Sequence, residues 1–211
     1  MNLKALLEVA NSSGGIIYLL GLLLLVALFV IFERLQYLAN MRKVGDAVIS
    51  MCQHSKVLNP AELRAFQAAN ADSPVVKLLE VAIDGERAHL PREDLDGNLE
   101  EAIMHQVPKL DKSVWLLDTI ITLAPLLGLF GTIIGMFNAM SVLGDMQNAA
   151  MQISGGIAEA LVSTAMGLIV AMIGLYFFNN INNKVRSLVH QMETMKLMIL
   201  NRHHLFKEIT Q

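Results

Sequence analysis

The chain has 211 residues, of which 54% are hydrophobic before glycine is counted and only 17% are charged. Soluble domains reach about 45–50% apolar with glycine included, so a bilayer is the expected solvent for much of this chain. A net charge of −3 without a basic face excludes nucleic acid as an expected partner, and the single cysteine, Cys52, excludes an intrachain disulfide or a cysteine-rich metal site.

Residues 1–15 read as a short amphipathic segment on the outer membrane surface. Leu3, Leu6, Leu7 and Ala10 share one side, and Ser12-Ser13-Gly14-Gly15 ends it. Residues 16–32 hold no polar side chain except Tyr18 and run directly into Glu33-Arg34. They are expected as the first membrane span, close to the roughly 20 residues that cross about 30 Å of hydrocarbon. With no basic run before it and no Ala-x-Ala site after it, this span reads as a retained anchor and not as a cleaved signal.

Residues 33–113 turn polar and predict a small helical cytoplasmic domain. Asn59-Pro60 and Ser73-Pro74 each place a capping residue before a proline suited to a first helical turn. Val75, Leu78, Leu79 and Ala82 then repeat at helical spacing, widened by Val76 and Ile83. Residues 93–112 are strongly charged and predict a helix feeding straight into the second span, with a bend at Pro108.

Residues 114–142 and 157–178 are expected as the second and third spans, joined by a short outer loop over 143–156. Residues 179–211 predict a cytoplasmic helical tail. Ile181, Val185, Leu188, Met192, Met195 and Ile199 follow a 4-3-4-3-4 spacing. That pattern fits a coiled-coil seam, and equally an amphipathic helix packed on the 33–113 domain. Unbroken to residue 206, the third helix would measure roughly 75 Å. The fold class expected is therefore all-α, with three transmembrane helices, a helical cytoplasmic domain and long helices extending into the cytoplasm.

Orientation follows from the basic residues beside the spans. Arg34, Arg42, Lys43, Lys109, Lys112, Lys184, Arg186 and Lys196 fall on one side, whereas the other has Lys4 and no basic residue over 141–156. The positive-inside rule places the N-terminus in the periplasm and the C-terminus in the cytoplasm.

The spans differ in character. The first is Leu, Ile, Val and Phe, which suits lipid. The second carries Ala124, Gly128, Gly131, Gly135 and Ala139, and the third Gly156, Ala160, Ser163, Gly167, Ala171 and Gly174. Such stripes let helix backbones approach closely in a membrane. They fit packing within one hairpin, and two of them in a short chain also suggest an oligomer. Pro125 removes a backbone hydrogen bond and is expected to bend the second span.

Polar groups accompany the stripes: Thr122, Thr132 and Asn138 in the second span, Glu159, Ser163 and Thr164 in the third. A threonine there ordinarily bonds the carbonyl a turn earlier. Glu159 is different, because an ionisable group at mid-membrane costs on the order of 2.5–3.5 kcal/mol and usually faces a wet or paired interior. Either it sits in water at the outer interface, or it is buried and carries a proton as a neutral acid. Asp118 and Glu33 read as interfacial anchors. The histidines at 54, 89, 105, 190, 203 and 204 all lie outside the spans and read as surface residues. No Gly-x-Ser-x-Gly, Walker or His-Glu-x-x-His pattern occurs, so neither an enzyme nor a resident cofactor or metal is expected.

Ala124-Pro125-Leu126-Leu127-Gly128-Leu129-Phe130-Gly131-Thr132, continuing Ile133-Ile134-Gly135-Met136, resembles the second-span signature of the MotA/TolQ/ExbB proton-channel family. Gly156-Ile157-Ala158-Glu159-Ala160-Leu161-Val162-Ser163-Thr164-Ala165-Met166-Gly167-Leu168 resembles its third-span signature. One span before the polar domain is similar to the ExbB/TolQ branch. That resemblance implies a homopentamer in the bacterial inner membrane around the single helices of an ExbD/TolR-type partner, with no nucleic acid involved. The positions matching the polar pore lining are Thr132, Glu159 and Thr164, and the transported ion implied is H⁺. The work implied is delivered to a TonB-like or TolA-like force-transmitting protein, with an ExbB-like role favoured over a TolQ-like one. A passive membrane scaffold is the reading from another class. Many relatives have proline where this chain has Gly155-Gly156, and an Ala-Ile-Pro turn where it has Ala171-Met172-Ile173-Gly174. Glycine is expected to supply similar freedom at both places.

Overall fold

The computed structural model describes residues 15–54, 66, 68–141 and 149–201. Among the described residues five helices follow one another, α1 (Ile16–His54), α2 (Pro74–Arg87), α3 (Arg92–Leu110), α4 (Val114–Ser141) and α5 (Ala149–Asn201), and there is no strand. The all-α expectation holds. Three helices, α1, α4 and α5, are long and apolar enough to cross a membrane. The N-terminal amphipathic segment, the Asn59-Pro60 cap, Asp145, His203-His204 and the side chains of Cys52 and His54 lie outside the described residues.

The chain divides into two units, Met1–Glu33 with Ser113–Asn180 and Arg34–Lys112 with Ile181–Gln211. Within the first, apolar unit, the seam between α4 and α5 is made of small residues, while Leu20, Leu117, Ile120 and Val170 are buried as well. Ala124, Gly128, Gly131, Gly135 and Ala139 of α4 are buried, and so are Ala160, Ser163, Gly167 and Gly174 of α5. Many large residues lie outside: Leu126, Phe130, Ile133 and Phe137 on α4, Leu161, Met172 and Tyr176 on α5, Leu25, Phe29 and Phe32 on α1. In water this would expose far more apolar surface than a monomer tolerates. In lipid it is the expected arrangement.

The second unit has the opposite pattern. Ser73 sits at the N-cap of α2 with Pro74 in the first turn, as expected, but its hydroxyl makes no capping bond and is buried instead. Val75, Val76, Leu78, Leu79 and Ala82 are buried, and Leu95, Leu99, Ile103 and Leu110 form the matching face of α3. Glu93 and Asp94 in the first turn of α3 and Lys109 in its last complement the helix dipole. The link between α2 and α3 turns through His89, whose φ of 53° is left-handed.

Two features depart from the sequence reading. Residues 93–112 do not feed straight into the second span: α3 stops at Leu110, a turn intervenes, and α4 starts at Val114. Pro108 removes one backbone donor near the end of α3, and Ser113 takes a left-handed φ of 65°, which no helix can continue through. Residues 149–156, expected in the outer loop, are helical and belong to α5.

All six seam residues of the tail, Ile181, Val185, Leu188, Met192, Met195 and Ile199, are buried within the single chain. Around them α5 bonds to its own domain. Lys196 reaches Asp96 and Glu100 of α3, and the Gln191 amide donates to Asp46 of α1 at 2.5 Å. Of the two readings of that spacing, the amphipathic helix packed on residues 33–113 is the one found.

Candidate functional site: the glycine-lined hairpin

The α4 and α5 stripes are pressed together within one chain. A Cβ placed on Gly128 would lie 2.8 Å from the Ser163 carbonyl oxygen and 3.0 Å from Thr164 Cα. One on Gly135 would meet Ala160 Cβ at 2.7 Å, and one on Gly156 would meet Ala139 Cβ at 2.6 Å. At Gly167 the added carbon would run into the Ala124 carbonyl itself. The helix-packing residues named from sequence, Gly128, Gly131, Gly135, Ala160, Gly167 and Gly174, are thus brought together. Because these stripes cover each other inside the hairpin, they do not by themselves require further copies of the chain.

Pro125 lies inside α4, which continues through it, and the adjoining Ala124 carbonyl is the one Gly167 packs against. Gly174, expected to stand in for a proline turn, instead presses on Ile121 Cγ1, where an added Cβ would come within 2.8 Å. Its hydrogen side chain serves packing there. Helix α5 runs unbroken through both glycine positions.

Of the polar positions, Ser163 and Thr164 meet α4 across this seam. Thr164 is half-buried, and its hydroxyl donates to the Gly128 carbonyl across the hairpin at 3.1 Å. Thr132, also half-buried, donates back to the Leu129 carbonyl at 2.6 Å. Thr122 does likewise with the carbonyls of Asp118 and Thr119. These are the local bonds by which hydroxyls are tolerated in apolar helices. Glu159 stands on helical backbone ten residues after Ala149, where α5 begins, and its side chain lies outside the described residues. Ser163, read from sequence both as a member of the small-residue stripe and as one of the polar groups beside it, is fully buried against Gly131. Its hydroxyl has no hydrogen-bond partner among the described residues. An orphaned hydroxyl costs about 1–3 kcal/mol, a penalty that a water molecule in the seam would relieve.

Electrostatics concentrate in the second unit. Lys196 Nζ lies 2.8 Å from Asp96 and 2.7 Å from Glu100, and hydrogen bonds to those two carboxylates hold its ammonium above the ordinary lysine range. Arg34, buried just past the first apolar segment, lies 5.4 Å over the Tyr37 ring and reaches the Lys109 carbonyl at 3.5 Å. That carbonyl belongs to the last turn of α3, where the helix dipole favours a cation. Sequence reasoning missed both arrangements. A lysine facing two acids spaced by one helical turn was the available signal, but it lies about a hundred positions from them. His89, His105 and His190 are exposed, as expected. Among the described residues no cluster of three or more His, Cys, Asp or Glu could hold a metal ion.

The sequence profile of the MotA/TolQ/ExbB proton channel family matches residues 69–194, which take in α2, α3, α4 and most of α5. An ExbB-like biopolymer transport protein of Synechocystis sp. is 37% identical over 172 residues, covering 79% of this chain and 80% of that protein. The biopolymer transport protein ExbB of Neisseria meningitidis is 28% identical over 211 residues, covering 92% of this chain and 94% of its own length. The Tol-Pal system protein TolQ of Haemophilus influenzae is 33% identical over 88 residues, 41% of this chain and 39% of that protein.

Proposed function

Because this chain belongs to the MotA/TolQ/ExbB proton channel family, we propose that it is the ring-forming subunit of a motor complex driven by the proton gradient across the bacterial inner membrane. The family is one of transport proteins and not of enzymes, and three long apolar helices make this member a multi-pass membrane protein. Copies of the chain, a pentamer, surround the single membrane helices of an ExbD/TolR-type partner. Thr132, Glu159 and Thr164 border the hydrated space between ring and partner, with Glu159 exchanging H⁺. The N-terminus is periplasmic and the C-terminus cytoplasmic.

The family match across both hairpin helices carries this reading, since it contains every polar position assigned to the path. Each proton crossing gains about 2.3 kcal/mol per 100 mV, so a few protons per step suffice to drive a rearrangement of packed helices. The force is delivered to a TonB-like protein. The ExbB relative of Neisseria covers most of this chain whereas the TolQ relative covers less than half, which favours uptake work over a TolA-linked envelope role.

Proton uptake by liposomes holding the chain with its single-helix partner tests the reading. Glu159→Gln should abolish uptake while the complex still assembles. Full uptake in that variant, and in Thr132→Ala and Thr164→Ala, would leave the chain a passive scaffold.

A further inference from the structure

The second unit holds an acidic, apolar-floored groove that the proton path does not use. It lies between α2 and α3, has a volume of about 420 Å³, and is floored by Val81, Gly85, Leu90 and Ala102. Asp84 and Glu101 stand at its rim, both exposed, with Asn98 and His105 beside them. Its size is within the roughly 300–1,000 Å³ of ordinary ligand sites. Among the described residues, the ion pairs at the rim are local and long: Arg87 to Asp84 at 3.5 Å, and His105 to Glu101 at 3.5 Å when protonated. Residues 74–110 contain eight acids (Glu80, Asp84, Glu86, Glu93, Asp94, Asp96, Glu100, Glu101) and four bases (Lys77, Arg87, Arg92, Lys109), a net of −4. The whole chain is −3, so this helical hairpin carries the negative charge and the remainder is slightly positive.

We propose that this groove docks a short basic, apolar-studded peptide segment, the cytoplasmic end of the single-span membrane partner. The inference rests on the proposed function, which places this hairpin in the cytoplasm beside such a partner. A short cytoplasmic arm next to a membrane helix is enriched in Lys and Arg. Those cations complement Asp84 and Glu101, and apolar side chains between them fill the floor between Val81 and Ala102. Contacts at an exposed rim are screened by salt, so the docking is weak and reversible, suited to guiding a partner that must move.

Two measurements on the full chain decide it. In phosphatidylcholine nanodiscs, a fluorescent ten-residue peptide of alternating lysine and leucine should bind saturably at low salt. The pair D84K with E101K should weaken it about tenfold, and E193K, which changes charge on an exposed face elsewhere, should not. Equal weakening by E193K would overturn the site. In the assembled complex, a photo-crosslinker at position 102 should capture the partner's cytoplasmic segment. Capture of residues 202–211 of this chain, capture of a second copy, or no capture while the partner is retained would overturn the inference alone. Failure of any single-helix protein to be retained would instead overturn the proposed function.

Discussion

The two units solve opposite packing problems with the same secondary structure. In the apolar unit, glycine, alanine and serine line the α4–α5 seam and Leu25, Phe29, Phe137 and Tyr176 face outward, although Leu20 and Leu117 are buried too. In the polar unit, Leu78, Leu79, Leu99, Leu188 and Met192 are fully buried and most charges lie outside, Arg34 and Glu86 being buried. Where water drives burial, volume is placed in the core. Where lipid is as apolar as leucine, only close approach of backbones and a few hydrogen bonds distinguish inside from outside. One chain alternates between these regimes along α1 and α5, each of which contributes to both units.

Substitutions that act on one regime and not the other sharpen the contrast. The largest effect is expected from Leu188→Ala, which empties a fully buried site of the polar unit and should cost about 2–5 kcal/mol of that unit's stability in chemical unfolding. Phe29→Ala, on the exposed side of the apolar unit, should by comparison be nearly silent in the same experiment. Next comes Gly167→Ala. One methyl driven against the Ala124 carbonyl should cost about 1–3 kcal/mol, read as a lowered unfolding temperature in detergent. A neutral result would mean that the stripes are loosely packed and the contrast overstated.

Smaller again is Lys196→Met, expected to cost about 1 kcal/mol at neutral pH. Because its two carboxylate partners raise the lysine above its ordinary 10.5, the stabilisation is present below that value and is lost as pH climbs through the raised one. The wild-type unit should therefore lose stability in alkaline denaturation where the Lys196→Met variant shows a flatter profile. The smallest effect belongs to Thr164→Val, which removes the cross-hairpin bond to Gly128 and should cost about 0.6 kcal/mol. A large loss there would make the threonine structural first and a path residue second.

Much of this contrast was legible in the sequence because it is written in residue size and spacing. The glycine stripes at intervals of three and four predicted a close helix pair, and the 4-3-4 run after residue 178 predicted a buried face. Neither could reveal what lay opposite. The tail seam met its own domain, and the stripes met each other, because the identity of a partner is a long-range fact that periodicity does not encode. The break between α3 and α4 was hidden for a different reason. Ser113 adopts a left-handed conformation that glycine or asparagine would have advertised and serine does not. The orphaned hydroxyl of Ser163 was equally invisible, since only coordinates show whether a serine in a small-residue stripe finds an acceptor.

Water access to the hairpin is the quantity on which the whole account turns. In membranes of a Cys52→Ser background, cysteines introduced at Thr132 and Thr164 should react with a membrane-impermeant maleimide far faster than one introduced at Phe29. Equal protection of all three positions would mean that no hydrated path borders α4 and α5, and would contradict the account.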